Sequence, residues 1–303
     1  MLPFVSIIVP VKNEVLRLPS VVGALRSLTY PKDRYEIIIA DNGSTDGTLE
    51  IARSLSVVVC QQPYGGSYAA RNKGISLAQG DILAFTDGDC TPQPQWLDAG
   101  VARLLTGPDL VAGAINFTSR KNTIDHRFDR KFFLQQERWV QEKGAGATAN
   151  LFVKRAVVEA TGGFSEQLSS GGDFAFCRAA AAAGFSLVFE PQAIVDHPTR
   201  GLSAILRKAR RIGSGKIERI LHTTTTTGQV MPQKQQLRAL LSGEPLATQI
   251  GFFFIYLAVC YAGCVGALSY LFRTATGRRF LRGQRSYDGP TKPQPPPPPP
   301  ATR

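Results

Sequence analysis

Residue types that build redox and zinc centres are scarce in this sequence. Five cysteines, Cys60, Cys90, Cys177, Cys260 and Cys264, are scattered along 303 residues with no Cys-x-x-Cys pair. Their spacing encodes neither a zinc ribbon nor a disulfide framework, and predicts reduced packing cysteines in a cytoplasmic setting. A basic start and a small-residue cleavage site are both missing from the N-terminal MLPFVSIIVPVKNE, so this stretch reads as a first strand rather than a signal peptide. Acidic charge is thin towards the C-terminus. Residues 199–238 hold nine basic groups against one acidic, and residues 273–303 hold seven against one, whereas residues 1–198 carry 19 basic and 20 acidic groups. The excess behind the formal net charge of +12 therefore flanks a single apolar segment near 250–272. That placement suits anionic membrane lipids as partners and predicts no nucleic-acid partner.

What is present, from the start of the chain, is an alternation of short β-branched runs with helical patterns. Strands are expected at 4–9, 35–40, 57–60 and 82–85, with helices beginning near Glu14 and Asp46, then over 68–78 and 94–105. This order predicts an α/β fold: a Rossmann-like, mostly parallel sheet with helices on both faces, whose ligand sits outside the carboxyl ends of the strands. Beyond it, strands are expected at 110–115 and 148–153, helices over 129–142 and 173–185, the latter closed by Gly184, and a strand pair at 186–189 and 193–196. Residues 1–198 form one catalytic-sized domain in this reading. Residues 199–248 form a basic amphipathic region that lies on a membrane surface through Ile205, Leu206, Ile212, Ile217, Ile220 and Leu221. Residues 249–272 form a transmembrane or re-entrant helix, with a buried core helix as the alternative; the 23 uncharged residues of 250–272 reach roughly 34 Å at the helical rise. Residues 273–303 form a basic tail ending in a polyproline run, with no fold expected.

The stretch GDILAFTDGDC (80–90) ends an apolar strand in two carboxylates, Asp87 and Asp89. From an extended strand, residues two apart project the same way, so both acids can face one ligand at the sheet edge. Hard oxygen ligands favour Mg²⁺ or Mn²⁺ carrying a diphosphate. A solvated acidic turn is the bland alternative. A further acid, Asp41, ends the second strand before Asn42-Gly43-Ser44 turns into a helix capped by Ser44 or Thr45. An acid there also fits a ribose in a dinucleotide fold, but the first turn reads PVKNE and lacks the required glycines.

Four stretches in order, VSIIVPVKNE, IIIADNGSTDGT, AARNKGISLAQGDILAFTDGDC and GGDFAFCRAAAAAGF, together resemble the family 2 glycosyltransferases, which have the GT-A fold. The resemblance covers about residues 4–198. It implies that Pro10, Val11 and Glu14 form a nucleoside pocket, that Asp41 contacts a uracil ring, and that Arg71 faces the base or diphosphate. It further implies Asp87 near the ribose, Asp89 as a ligand of Mg²⁺ or Mn²⁺, and His197 as a further metal ligand. Asp173 matches the catalytic base, with a plain helix cap as its alternative reading. The chain departs from the family's acceptor motif: Ala175 stands where members often carry a second acid. The literal Gln-x-x-Arg-Trp of residues 135–139 precedes Asp173 instead of following it, so it is read as chance or as acceptor-side helix surface, against a polymer-extruding synthase. The expected function is inverting, metal-dependent transfer of a sugar from a nucleotide sugar, with UDP as the preferred nucleotide, to a lipid-linked or saccharide acceptor. The expected place is the cytoplasmic face of a bacterial inner membrane, in cell-surface or exopolysaccharide biosynthesis. A membrane-tethered nucleotide-sugar binder without turnover is the alternative.

Overall fold

A computed structural model of the chain describes residues 2–119, 121–222 and 243–284. The expected polyproline tail, and most of the segment joining the two C-terminal helices, lie outside the described residues. Eight strands form one sheet in the order β3-β2-β1-β4-β7-β6-β8-β5. The strands are β1 Val5–Val11, β2 Tyr35–Asp41, β3 Val58–Gln61, β4 Ile82–Thr86, β5 Thr91–Pro92, β6 Leu110–Thr118, β7 Asn150–Lys154 and β8 Leu187–Pro198. The helices are α1 Leu18–Arg26, α2 Thr48–Ser54, α3 Gly66–Leu77, α4 Trp96–Leu105, α5 Ile124–Phe132, α6 Gln136–Lys143, α7 Arg155–Thr161, α8 Gly172–Ala182, α9 Leu202–His222 and a last helix, α10, Leu246–Gln284.

The first four strands to pair, β3, β2, β1 and β4, are all parallel, as the alternating pattern requires. Antiparallel β7 then joins β4 to β6, and β6 pairs parallel with β8. The sheet is therefore mixed. Every residue of β1 is buried, which a continuous apolar run demands when helices cover both faces. Its one polar side chain, Ser6, donates to Glu36 at 2.6 Å and accepts from the Gly80 N–H at 2.8 Å. One face of the sheet packs a core with Leu18, Leu25, Trp96, Leu97 and Phe128, and the other a core with Tyr68, Val157, Phe164 and Phe176.

Several sequence expectations are corrected. Residues 14–17 form a turn, in which the Glu14 carbonyl accepts from Arg17 and Leu18, and α1 starts only at Leu18. The helix expected over 129–142 is two helices broken at Leu134, whose φ is +51°. Phe133 and Leu134 both turn into the core, and buried Gln136 restarts the helix while its amide bonds Ala147 and Asn150. Neither Ser44 nor Thr45 caps α2; Gly47, at φ +88°, precedes its first residue. The expected strand pair at 186–196 is one strand, β8, with a bulge where Glu190 pairs Gly113 and Ile194 pairs Ala114. The closure of α8 is as expected: Gly184 has φ +88°, and the Phe185 N–H reaches back to the Ala180 carbonyl at 3.0 Å, the Schellman pattern.

The largest correction concerns the C-terminal region. The basic helix α9 is continuous through Gly213 and Gly215. Its apolar residues Ile205 and Ala209 enter the same core as Leu18 and Trp96, so that face is occupied by protein instead of lipid. The helix α10 adds Phe252, Ile255, Tyr256 and Val259 to that core. A boundary at 198 thus divides no hydrophobic interior. The opposite side of α10 leaves Ile250, Phe253, Phe254, Leu257, Tyr261, Leu268 and Phe272 exposed.

Candidate active site

The carboxyl ends of β1, β2 and β4 lie side by side, with Val11 opposite Asp41 and Ile8 opposite Phe85. After β4, residues Asp87 to Cys90 make a tight turn closed by the Cys90 N–H donating to the Asp87 carbonyl at 3.0 Å. The turn splays the two aspartates, correcting the expectation that they project together from an extended strand. Asp87 accepts from Nη2 of Arg71, whereas Asp89 faces Nε2 of His197 at 3.7 Å. Gly88 is needed for close approach: a Cβ there would stand 2.9 Å from Val11 Cγ1 and 3.2 Å from the Pro10 carbonyl oxygen. The turn therefore packs onto Pro10, Val11 and the stem of Glu14. Burial pushes the Glu14 pKa up, while its ion pair with Arg17, at 2.9 Å, opposes that shift.

Asp41 is fully buried at the end of β2. Its carboxylate accepts from the backbone N–H groups of Gly43 at 3.1 Å and Ser44 at 3.2 Å, so it fixes the Asn42–Ser44 turn. Arg71 comes from the middle of α3 with 4% of its side chain exposed. Besides Asp87 it bonds the Ser67 carbonyl at 3.3 Å and lies 5.7 Å from the Tyr68 ring centroid. Its Nε has no partner among the described residues. A buried guanidinium with an idle donor is costly unless something else fills that place.

Asp173 enters from the opposite side, in the first turn of α8. The two glycines before it have distinct jobs. Gly171 takes a left-handed backbone at φ +77°, and a Cβ at Gly172 would stand 2.8 Å from the Tyr68 ring. Their smallness seats the helix start on Tyr68, whose hydroxyl donates to Asp173 Oδ1 at 3.4 Å. Gly171, not Asp173, is the capping residue. Burial raises the Asp173 pKa; Arg71 and the Phe174 N–H pull it down, and Asp87 pushes it up again. Asp173, Arg71 and Asp87 thus form one electrostatic unit drawn from three elements.

Asp89, Cys90 and His197 bring their ligand atoms within 4.8 Å of one another. His197 donates from Nδ1 to the Pro198 carbonyl at 2.6 Å, leaving Nε2 as an acceptor directed at Asp89 and at Arg200, whose Nη2 lies 2.7 Å away. Burial lowers the His197 pKa and keeps the ring neutral, the form that binds metals. Burial raises the Cys90 thiol pKa well above its usual value, so it stays protonated. The usable donors are one carboxylate and one imidazole, a set that fits Mn²⁺ better than Mg²⁺.

The sequence matches the Glycosyl transferase family 2 profile over residues 6–162, and it is 43% identical over 225 residues to glycosyltransferase AglE of Haloferax volcanii, covering 72% of this chain and 74% of that one. This chain belongs to glycosyl transferase family 2. It is therefore a glycosyltransferase. Solved structures agree on the fold. The mannosyltransferase PcManGT of Pyrobaculum calidifontis, in complex with GDP-Man and Mn²⁺, superposes with a TM-score of 0.57 at 21% identity over 94% of this chain and 83% of that one. S. aureus TarS in complex with UDP-GlcNAc gives 0.52 at 16% identity over 88% and 91%.

Sequence reasoning missed three side chains that the fold of this family 2 chain brings towards these acids. Tyr68 sits one helical turn before Arg71, a spacing that places both on one side of α3. Arg200 follows His197 by three residues, and its guanidinium bonds Asp129 at 3.3 Å as well as His197. Lys208 lies within the basic run that had been assigned to lipid, yet its ammonium is turned inward, 4.8 Å from the Phe133 ring centroid.

Proposed function

We propose that this glycosyltransferase moves a sugar from a nucleotide sugar, with UDP the first nucleotide to test, to an acceptor hydroxyl or phosphate by a single inverting displacement. One observation carries the reading: Asp173, Arg71 and Asp87 form a connected unit beside the Asp89–His197 pair, at the strand ends where a GT-A fold holds its donor. The loops bearing Pro10, Val11 and Glu14, with the Asn42–Ser44 turn fixed by Asp41, border the nucleoside. Arg71, held against Asp87, would present its charge to the ribose or diphosphate. Asp173, its pKa raised by burial, in its ionised form takes the proton of an acceptor hydroxyl as that oxygen attacks the anomeric carbon; an acceptor that is already an anionic phosphate needs only to be positioned there. Asp89 and His197 would hold a divalent ion, which when bound stabilises charge on the departing diphosphate.

The acceptor side of the proposal rests on α10. Its outward stripe of Phe253, Phe254, Leu257, Tyr261 and Phe272 is apolar and exposed, and α5 sets Arg127, Arg130 and Lys131 near its start. A membrane surface satisfies both, with the apolar side in lipid and the basic groups at headgroup level. The reading is a membrane-bound enzyme acting on a lipid-linked or saccharide acceptor from the cytoplasmic face. The test is Asp173→Asn. Transfer should fall by about 10²-fold or more, while Mn²⁺-dependent nucleotide binding, read by calorimetry, stays within a factor of two or so. Near-normal turnover in that variant removes Asp173 as the base. Nucleotide binding without transfer in the wild-type protein would favour a pure binder, the reading to which Ala175 points.

A further inference from the structure

Lys208 is a positive charge with no hydrogen-bond acceptor among the described residues. Its stem comes from α9, and its ammonium rests over the Phe133 ring. The charged groups acting on it are Arg200, Asp129, Arg211 and Asp89. Of the two acids, Asp129 is fully buried and already bonded to both the backbone N–H and the guanidinium of Arg200. Asp89 belongs to the pair that faces a metal. Burial lowers the Lys208 pKa to about 7, with Arg200 adding to the shift and Asp129 opposing it. A metal-loaded site makes the imbalance worse. Counting Arg200, Arg211, Lys208 and a divalent ion against Asp89 and Asp129 leaves three positive charges uncompensated. Charge of that density in a partly closed site demands an anion of matching charge.

Arg200 adds a geometric reason. Its Nη2 donates to His197 Nε2, the atom a metal would take. An ion bound there frees that donor, and Lys208 stands on the same side: its ammonium lies over Phe133, whose N–H bonds the carbonyl of Asp129 at 3.0 Å, the acid that Arg200 also grips. We propose that Lys208 and Arg200 form a phosphoryl-binding pair on the α9 side of Asp89 and His197, completing the site from the C-terminal region. This rests on the function proposed above and names which residues grip the phosphoryl group. The donor's diphosphate and the phosphate of a lipid acceptor share that chemistry, and the diphosphate, which travels with the metal, is the expected occupant.

The test uses the full-length protein with Mn²⁺ and inorganic pyrophosphate, a probe that does not depend on the nucleotide base. Lys208→Met keeps the stem over Phe133 and removes the charge. It should melt at or above the wild type near neutral pH, bind Mn²⁺ alone as tightly, and bind pyrophosphate about tenfold or more weakly. Lys208→Arg should restore most of that loss. If pyrophosphate binding is unchanged but KM for a polyprenyl phosphate acceptor rises about tenfold or more, the pair serves the acceptor phosphate, and the phosphoryl assignment stands with the other source. If neither changes while the wild type binds Mn²⁺-pyrophosphate normally, this inference is overturned and the proposed function is untouched. A wild-type protein that binds neither pyrophosphate nor nucleotide with Mn²⁺ overturns both.

Discussion

At the scale of single residues, the site shows how burial tunes a carboxylate. Asp173 is shifted up from the ordinary aspartate value of 3.8, first by burial and only then adjusted by Arg71 and Asp87. A carboxyl whose folded pKa lies above its unfolded one destabilises the native state once ionised, so the cost appears as pH rises through that window and persists above it. Asp173→Asn should therefore melt at or above the wild-type temperature near neutral pH, and the gap should close below about pH 4. Scanning calorimetry at several pH values reads this directly. A variant that melts well below the wild type at every pH would mark Asp173 as structural. Transfer by the wild type, in turn, should fall as pH drops through the raised Asp173 pKa, because only the ionised carboxylate accepts a proton. Arg71 makes the complementary case. With 4% of its side chain exposed and Asp87 as its ion partner, Asp87→Ala strands a buried cation. About 1–3 kcal/mol of stability should be lost, seen as a lower urea midpoint. Loss of the opposing acid also draws Arg71 more fully to Asp173.

At the scale of elements, small residues decide which helices can meet. A Cβ on Gly213 would collide with the Gly263 backbone, and one on Gly266 with the Arg210 carbonyl, so α9 and α10 touch backbone to backbone. Gly213, which the sequence presents as an interruption of an amphipathic helix, is the contact itself, while Gly215 lets the helix sit against Ser170. Gly213→Leu should push the helices apart and cost about 1–3 kcal/mol, lowering the melting temperature by roughly 3–10 °C. Because α9 also carries Lys208, pyrophosphate affinity should fall with it. A melting curve identical to the wild type would show that the two helices do not pack in solution as described. Gly88 and Gly172 work in the same way around the site, where each allows a backbone or ring approach that a side chain would block.

At the scale of the whole molecule, the C-terminal helices are part of the enzyme's interior. Phe252, Ile255, Tyr256 and Val259 are buried in the main core. At about 1.5–3 kcal/mol for each such side chain, their sum is comparable with the roughly 5–15 kcal/mol net stability of an ordinary domain. A chain ending at residue 245 should therefore fail to accumulate as a folded soluble protein. Size-exclusion chromatography and circular dichroism would show it. A stable, active truncation would mean that α10 is only a tether. The full-length protein should float with vesicles containing an anionic lipid and bind less to neutral ones, since Arg127, Arg130 and Lys131 accompany the apolar stripe.

Much of this could be read in advance because it depends on neighbours along the chain. Period-two and helical patterns, the glycine turns and the four ordered motifs are local signals, and they led to the βαβ order, the strand-end acids Asp41 and Asp89, and Asp173 at a helix start. The direction in which a side chain points after a turn depends on a single hydrogen bond, and so Asp87 and Asp89 part company in a way that spacing alone misread. The fate of an apolar face depends on what competes for it: α9 and α10 carry the composition of membrane helices, but α5 and their packing on each other claim one face of each. By itself the amino-acid order determined the family, the sheet's parallel half and which acids stand at the strand and helix ends. Only the tertiary structure decided that the last helices close the core and deliver Lys208 to the site, because burial and charge pairing between residues 100 or more positions apart have no trace in local pattern.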